Sequence, residues 1–157
     1  MPALSKKRNL YEYISGYVDG EGCFSVSFSQ RKKFLVGWET KPSFSVSQNE
    51  DRAEILFAMQ KVFGCGFLRR DYSDKTLKYE VRSLDDLLKK IIPHFETYPL
   101  LSSKQKDFRL FKKVCHLMQK GSHRNAKGLA ILVPLAFQMN PGGKRRYTRE
   151  EILSALR

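Results

Sequence analysis

Between residues 18 and 24 the hydrophobic period of the chain changes, and that change leaves few folds open. Before it, Leu10, Ile14, Tyr17 and Val18 recur at helical spacing. Asn9 can cap this helix, with Glu12 three residues on as in a capping box. Gly20 and Gly22 end the pattern. Beyond them Phe24, Val26 and Phe28 alternate with Cys23, Ser25, Ser27 and Ser29, the period of a strand buried on one side only. A helix that gives way so abruptly to a half-buried strand needs a neighbouring strand and a shared apolar face.

The neighbour follows at once. Arg31-Lys32-Lys33 lies at or near a turn. Then Pro42, Phe44 and Val46 take one side of a second alternation, and Glu39, Lys41, Ser43 and Ser45 the other. Residues 51–63 read as a helix with Ile55, Leu56, Met59 and Val62 or Phe63 inward, broken by Gly64-Cys65-Gly66. Residues 67–70 and 75–82 read as a hairpin around Tyr72-Ser73-Asp74, with Leu77, Tyr79 and Val81 opposing Thr76, Lys78 and Glu80. A short helix over 84–92 should stop before Pro93. Ser102 or Ser103 caps a longer helix to about residue 120, Asn125 caps another to about residue 140, and Thr148 with Glu151 caps a terminal one.

Helix, two strands, helix, two strands and further helices define an α+β chain rather than a parallel βαβ series. The expected architecture is a four-stranded antiparallel sheet with helices on one face. The other face stays open and carries Ser, Lys, Arg and Glu. No repeat or long linker divides residues 1–157, so one domain is expected. A chain of this size buries roughly 70% of its unfolded surface and needs no metal or disulfide for stability.

Charge narrows the partner. There are 29 Lys and Arg against 16 Asp and Glu, a formal excess of 13 positive charges. An excess this large on a small domain suits a polyanion, above all nucleic acid; a basic surface kept for solubility is the alternative. No apolar run approaches the ~20 residues of a membrane span. The segment 129–137 is too short and contains Pro134, so no membrane partner is expected. The basic start, residues 1–8, lacks a following apolar core, so secretion is not expected. Cys23, Cys65 and Cys115 form no Cys-x-x-Cys pair and indicate neither a disulfide framework nor a zinc site. Trp38 fits a sheet-edge aromatic or a base contact equally well, and His94, His116 and His123 receive no role.

The segment Ile14-Ser15-Gly16-Tyr17-Val18-Asp19-Gly20-Glu21-Gly22 is the chemically unusual one. Gly16 and Gly20 are four apart and share a helix face, which lets another backbone approach. Asp19 and Glu21 sit at the helix C-terminus, where the macrodipole disfavours acids by about 0.3–1 kcal/mol each. A bound cation would offset that cost; a glycine-rich turn with solvated acids would bear it. The residues alone leave both open.

This segment resembles the signature of the LAGLIDADG homing endonucleases, with Ile14 for Leu, Ser15 for Ala and Glu21 for the final Asp. The resemblance continues in order along the chain. Phe44-Ser45-Val46-Ser47-Gln48 with Arg52 is similar to the family's second strand and following helix. Phe63-Gly64-Cys65-Gly66-Phe67 is similar to its start of strand three. Pro99-Leu100-Leu101-Ser102-Ser103-Lys104-Gln105-Lys106-Asp107-Phe108 is similar to its lysine-bearing loop and helix, and Met139-Asn140-Pro141-Gly142-Gly143-Lys144-Arg145-Arg146 to a tail of single-motif members.

The resemblance implies an αββαββα saddle acting as a homodimer, the two signature helices meeting along Ser15, Gly16 and Asp19. It implies a site-specific endonuclease that cuts long, pseudo-palindromic double-stranded DNA and promotes intron homing. Glu21 and the Gly20 carbonyl would hold Mg²⁺, with Mn²⁺ able to substitute, and no small-molecule cofactor. Asp19 is the reserve ligand. Gln48 and Lys104 would organise water, and Arg52 would support the site. The sequence leaves the compartment open: a chloroplast or mitochondrion if the protein is organelle-encoded, otherwise a bacterial cytoplasm.

Strand parity supplies the DNA face: Ser25, Ser27, Ser29, Arg31, Lys33, Glu39, Lys41, Ser43, Ser45, Arg69, Lys78 and Glu80. Arg69 and Lys41 could pair with guanine, and Glu39 or Glu80 with cytosine. Lys144, Arg145 and Arg146 are expected on phosphates. The rival is a DNA-binding regulator or RNA maturase of the same fold that does not cleave.

Overall fold

The computed structural model describes residues 9–157, so the reading of residues 1–8 falls outside it. Helix α1 (Leu10–Glu21) starts where the Asn9 side chain accepts from the amides of Tyr11 and Glu12. It ends without a linker: Gly22 is both its C-cap and the first residue of strand β1 (Gly22–Gln30). A Cβ at Gly22 would lie 2.5 Å from Val18 Cγ1 and 2.9 Å from the Val18 carbonyl oxygen. Only glycine permits so tight a passage from helix to strand.

Strand β1 pairs antiparallel with β2 (Trp38–Asn49), from Gly22 opposite Val46 to Gln30 opposite Trp38. A short 3₁₀ turn (Glu50–Arg52) leads to helix α2 (Glu54–Phe63), which Gly64 terminates in the left-handed conformation. Strands β3 (Phe67–Asp71) and β4 (Thr76–Val81) complete an antiparallel sheet of order β1-β2-β4-β3. Four antiparallel strands with helices packed on them give the α+β class read from the sequence.

One expectation fails. The helix begun at α3 (Leu84–Asp86) does not stop before Pro93. It passes through a π turn at Leu87–Ile91 into α4 (Ile92–Thr97). The wide turn closes on an Ile92 amide bonded to the Leu87 carbonyl, and Pro93 then occupies the first turn of α4, where its missing N–H costs nothing. Helices α5 (Lys104–Gln119), α6 (Ala126–Phe137) and α7 (Arg149–Ser154) follow; α6 ends about three residues earlier than its pattern suggested.

The core lies between the sheet's apolar face and the helices. Phe24 sits at its centre, 5.3–5.4 Å from the rings of Phe44, Phe95, Phe108 and Phe111. Trp38 is buried there too, edge-on to Tyr147 at 5.0 Å, so it is not offered to a base.

His94 is part of this core, 8% exposed, with its ring against Phe63, Phe95 and Tyr98. Its Nε2 lies 3.1 Å from Ser15 Oγ, and that hydroxyl donates to the Tyr98 carbonyl at 2.6 Å. A hydroxyl that donates elsewhere must accept here, so the proton of the neutral ring sits on Nε2. Burial pushes the His94 pKa down from 6.5 to about 4. Between those values the unfolded chain binds the extra proton and the folded chain does not. Stability is therefore full above about pH 6.5 and falls as pH drops toward 4, by up to about 3 kcal/mol. Thermal melts from pH 7.5 to 4.5 should show this loss, and His94→Gln should flatten it.

Candidate active site and nucleic-acid interface

The site forms where α1 runs into β1. The first residue of α5, Lys104, reaches back so that its Nζ donates to the Val18 carbonyl at 3.0 Å. That carbonyl also accepts the Gly22 amide. A lysine cation thus stands at the negative end of the α1 dipole, as electrostatics favours. Asp19 accepts from the Leu101 amide at 2.9 Å, from the Ser102 amide and from the Ser102 hydroxyl. Partial burial raises its carboxyl, but the Ser102 hydroxyl, the two amides and Lys104 more than reverse this and hold it below the usual range.

Two expected interface residues therefore bond within the chain itself. Ser15 is 5% exposed and ties α1 to α4 through Tyr98 and His94, since it lies on the inward side of the helix. Asp19 fastens α1 to the loop before α5, which removes the need for a metal to offset its charge. Gly16 does lie outward, and a Cβ at Gly16 or Gly20 would meet nothing within 4 Å. Tyr13, three residues from Gly16, is exposed on the same face.

Glu21 closes α1 with its side chain exposed, and no hydrogen bond or ion pair among the described residues engages it. Gln48 sits on the core-facing parity of β2 and its amide donates to the Tyr17 hydroxyl of α1 at 2.5 Å. Lys104 and Gln48 thus each bond to the second half of α1, the helix that Glu21 closes. Arg52 does not join them. It is exposed in the 3₁₀ turn and its ion pair is with adjacent Asp51 at 3.6 Å. Among the described residues no group of three or more His, Cys, Asp or Glu could hold a metal ion. One carboxylate and one carbonyl are too few donors for a hard cation, which takes about six oxygens. The donor type fits; the number fits only if a second subunit and phosphate oxygens contribute.

The open face of the sheet follows the register. Ser25, Ser27 and Ser29 stand opposite Ser43, Lys41 and Glu39, and Arg69 stands opposite Lys78. Exposed Arg69 and half-buried Lys78 place like charges side by side, an arrangement that suits an anionic partner. Lys33 lies 5.7 Å from the Phe34 ring in the β1–β2 loop. Arg31 is bound to Glu39 at 2.7 Å, which holds that carboxyl below its usual range and ties both side chains together. Ser45 lies on this face but is nearly buried.

Glu80 is not available to a cytosine. It is 4% exposed, accepts from Ser43 Oγ at 2.6 Å and pairs with Arg82 at 3.0 Å. Ser43 shares that commitment. The register also adds residues passed over in the sequence. Ser47 stands opposite Lys78, and Thr76 opposite Asp71. Arg82 meets Glu80 and the Phe67 ring of the same face. All of them continue the alternations already visible in β2 and β4, each a step past where the apolar partners stop.

Arg145 requires a further correction. Its guanidinium donates to the Val26 carbonyl at 2.7 Å and the Ala136 carbonyl at 2.6 Å, and lies 4.4 Å over the Phe137 ring. Asn140 likewise donates to the Phe24 carbonyl at 2.7 Å. The tail thus caps the outer edge of β1, and Arg145 is not a phosphate contact in this arrangement. Lys144 and Arg146 on either side are exposed.

A LAGLIDADG endonuclease family model matches residues 14–115. The chain belongs to the LAGLIDADG endonuclease family. The structure called homing endonuclease I-TnaI is 31% identical, with a TM-score of 0.81 over 92% of this chain and 94% of that one. The archaeal intron-encoded homing endonuclease I-Vdi141I, complexed with DNA, is 28% identical with a TM-score of 0.84 over 92% of each. The homing endonuclease I-ApeII of Aeropyrum pernix is 27% identical over 150 residues, 92% of this chain and 88% of that protein. The Neurospora crassa proteins named probable intron-encoded endonuclease 2 and 3 are 29% and 33% identical over 83% and 82% of this chain, which spans 29% and 24% of their lengths.

Two substitutions separate the roles. Asp19→Ala should destabilise the fold by about 1–2 kcal/mol through lost charge-assisted bonds, seen as a lower urea midpoint. Arg145→Gln should lower the melting temperature, whereas replacing Lys144 and Arg146 with Gln should leave it unchanged and reduce the salt dependence of DNA binding by about two counterions.

Proposed function

We propose that this chain is one subunit of a homodimeric, site-specific endonuclease that cuts both strands of a long, pseudo-palindromic duplex. One observation carries the reading: Glu21 is exposed and unengaged at the end of a helix whose outer face is bare at Gly16 and Gly20. A bare face lets two α1 helices approach closely, and each then delivers one carboxylate to a shared centre. Family membership and the DNA complexes of its relatives support the same reading. The fungal relatives named as intron-encoded support a role in intron homing and a gene within an organellar intron.

Glu21 and the Gly20 carbonyl of both subunits would hold divalent cations, Mg²⁺ with Mn²⁺ as substitute, together with scissile phosphate oxygens. Such ions supply positive charge that acidifies water and stabilises the leaving oxygen. The Lys104 ammonium, already fixed beside the helix end, lies where it can stabilise negative charge developing on a phosphate. Gln48 is held through Tyr17 against α1, so its amide orientation is set before DNA arrives and it can position water. The polar sheet face with its basic residues lies along the major groove on either side.

Glu21→Gln should bind the selected duplex as the wild type does and lose cleavage by about two orders of magnitude or more. Gel shift and cleavage of a randomised duplex library in Mg²⁺, Ca²⁺ and EDTA would measure both. Cutting in EDTA would defeat the metal role. Specific binding without cutting in any metal would favour the regulator or maturase.

A further inference from the structure

The open sheet face carries one arginine held ready for a ligand. Arg82 follows the last residue of β4, on the same parity as Lys78 and Glu80. Its Nη2 lies 3.0 Å from Glu80 Oε1, and its guanidinium carbon lies 5.5 Å from the centre of the Phe67 ring. The other oxygen of Glu80 accepts from Ser43. Arg82 is 56% exposed while its carboxylate partner is 5% exposed. Among the described residues no other polar group engages this guanidinium.

That asymmetry is informative. A surface ion pair between two solvated side chains contributes little and positions little. Here the carboxylate is fixed by strand and serine, and the aromatic ring supports the guanidinium from one side. Arg31 and Glu39 offer a contrast, since 31% of the Glu39 side chain remains exposed against 5% of Glu80. Ordering a free arginine costs side-chain entropy at the moment of binding. Glu80 and Phe67 have removed part of that cost in advance. A guanidinium has five N–H donors, and at 56% exposure that of Arg82 has donors to spare beside the ion pair with Glu80. A planar pair of donors on a groove-facing sheet matches the O6 and N7 acceptors of guanine.

We propose that Arg82 reads a guanine in the major groove, with Glu80 and Phe67 as the residues that position it. The inference rests on the reading of this chain as a sequence-specific DNA-binding nuclease. In a two-fold complex the guanine recurs at two positions related by the dyad.

The test is selection from a randomised duplex library by the full chain, as wild type, Arg82→Ala, Arg82→Lys and Glu80→Gln, with melting temperatures for each. Wild type should prefer guanine at one dyad-related pair of positions by about 10- to 100-fold. Arg82→Ala and Arg82→Lys should lose that preference and keep the preferences elsewhere. Arg82→Lys keeps a cation beside Glu80, so it carries the test if the alanine variant unfolds. Glu80→Gln should reduce the guanine preference without abolishing it. A uniform fall in affinity for all sequences, with a salt slope smaller by about one, would identify a phosphate contact and overturn the inference. So would selection that is unchanged in all variants. A wild-type chain that selects no duplex at all would remove the nuclease reading and this inference with it. A chain that selects sites independently of residue 82 would remove the inference alone.

Discussion

The carbonyl of Val18 is where three parts of this chain are joined. It accepts the Gly22 amide, which turns α1 into β1, and the Lys104 ammonium, which brings α5 back to the same point. The turn is possible only because residue 22 has no side chain to strike Val18. Everything near the helix end inherits its position from this joint. Glu21 is set at the corner, the serine row of β1 begins four residues later, and the loop before α5 is drawn within reach of Asp19.

The acids of α1 show how position separates two like groups. Both oppose the helix dipole. Asp19 is answered within the subunit by two backbone amides, a hydroxyl and a nearby ammonium. Glu21, two residues on, receives no such partner among the described residues. The same molecule thus contains one acid that holds structure together and one that no described residue engages.

The class of fold and the parity of the sheet were legible because they depend on local period and on the order of motifs. What was not legible depends on partners far away in the chain. Ser15 meets Tyr98, Asp19 meets Ser102 and Arg145 meets Val26, each across more than 80 residues. Parity put Glu80 on the correct face, but only the third dimension shows Ser43 and Arg82 covering it. Pro93 misled because a π turn, which has no sequence period of its own, absorbed the break. Arg52 shows the limit of motif order: it occupies its motif position, yet its ion pair turns it to Asp51.

The capped edge of β1 has a consequence for how the chain comes into being. Asn140 and Arg145, which cover its outer carbonyls, leave the ribosome 116 and 119 residues after the residues they cover. Until they emerge the nascent sheet carries an uncovered margin able to pair with strands of other chains. A ribosome that stalls before residue 140 would leave a product with core and helices nearly whole but with that margin bare. Such a product is suited to clumping, and the cover laid over this strand is what separates a soluble fold from a sticky one.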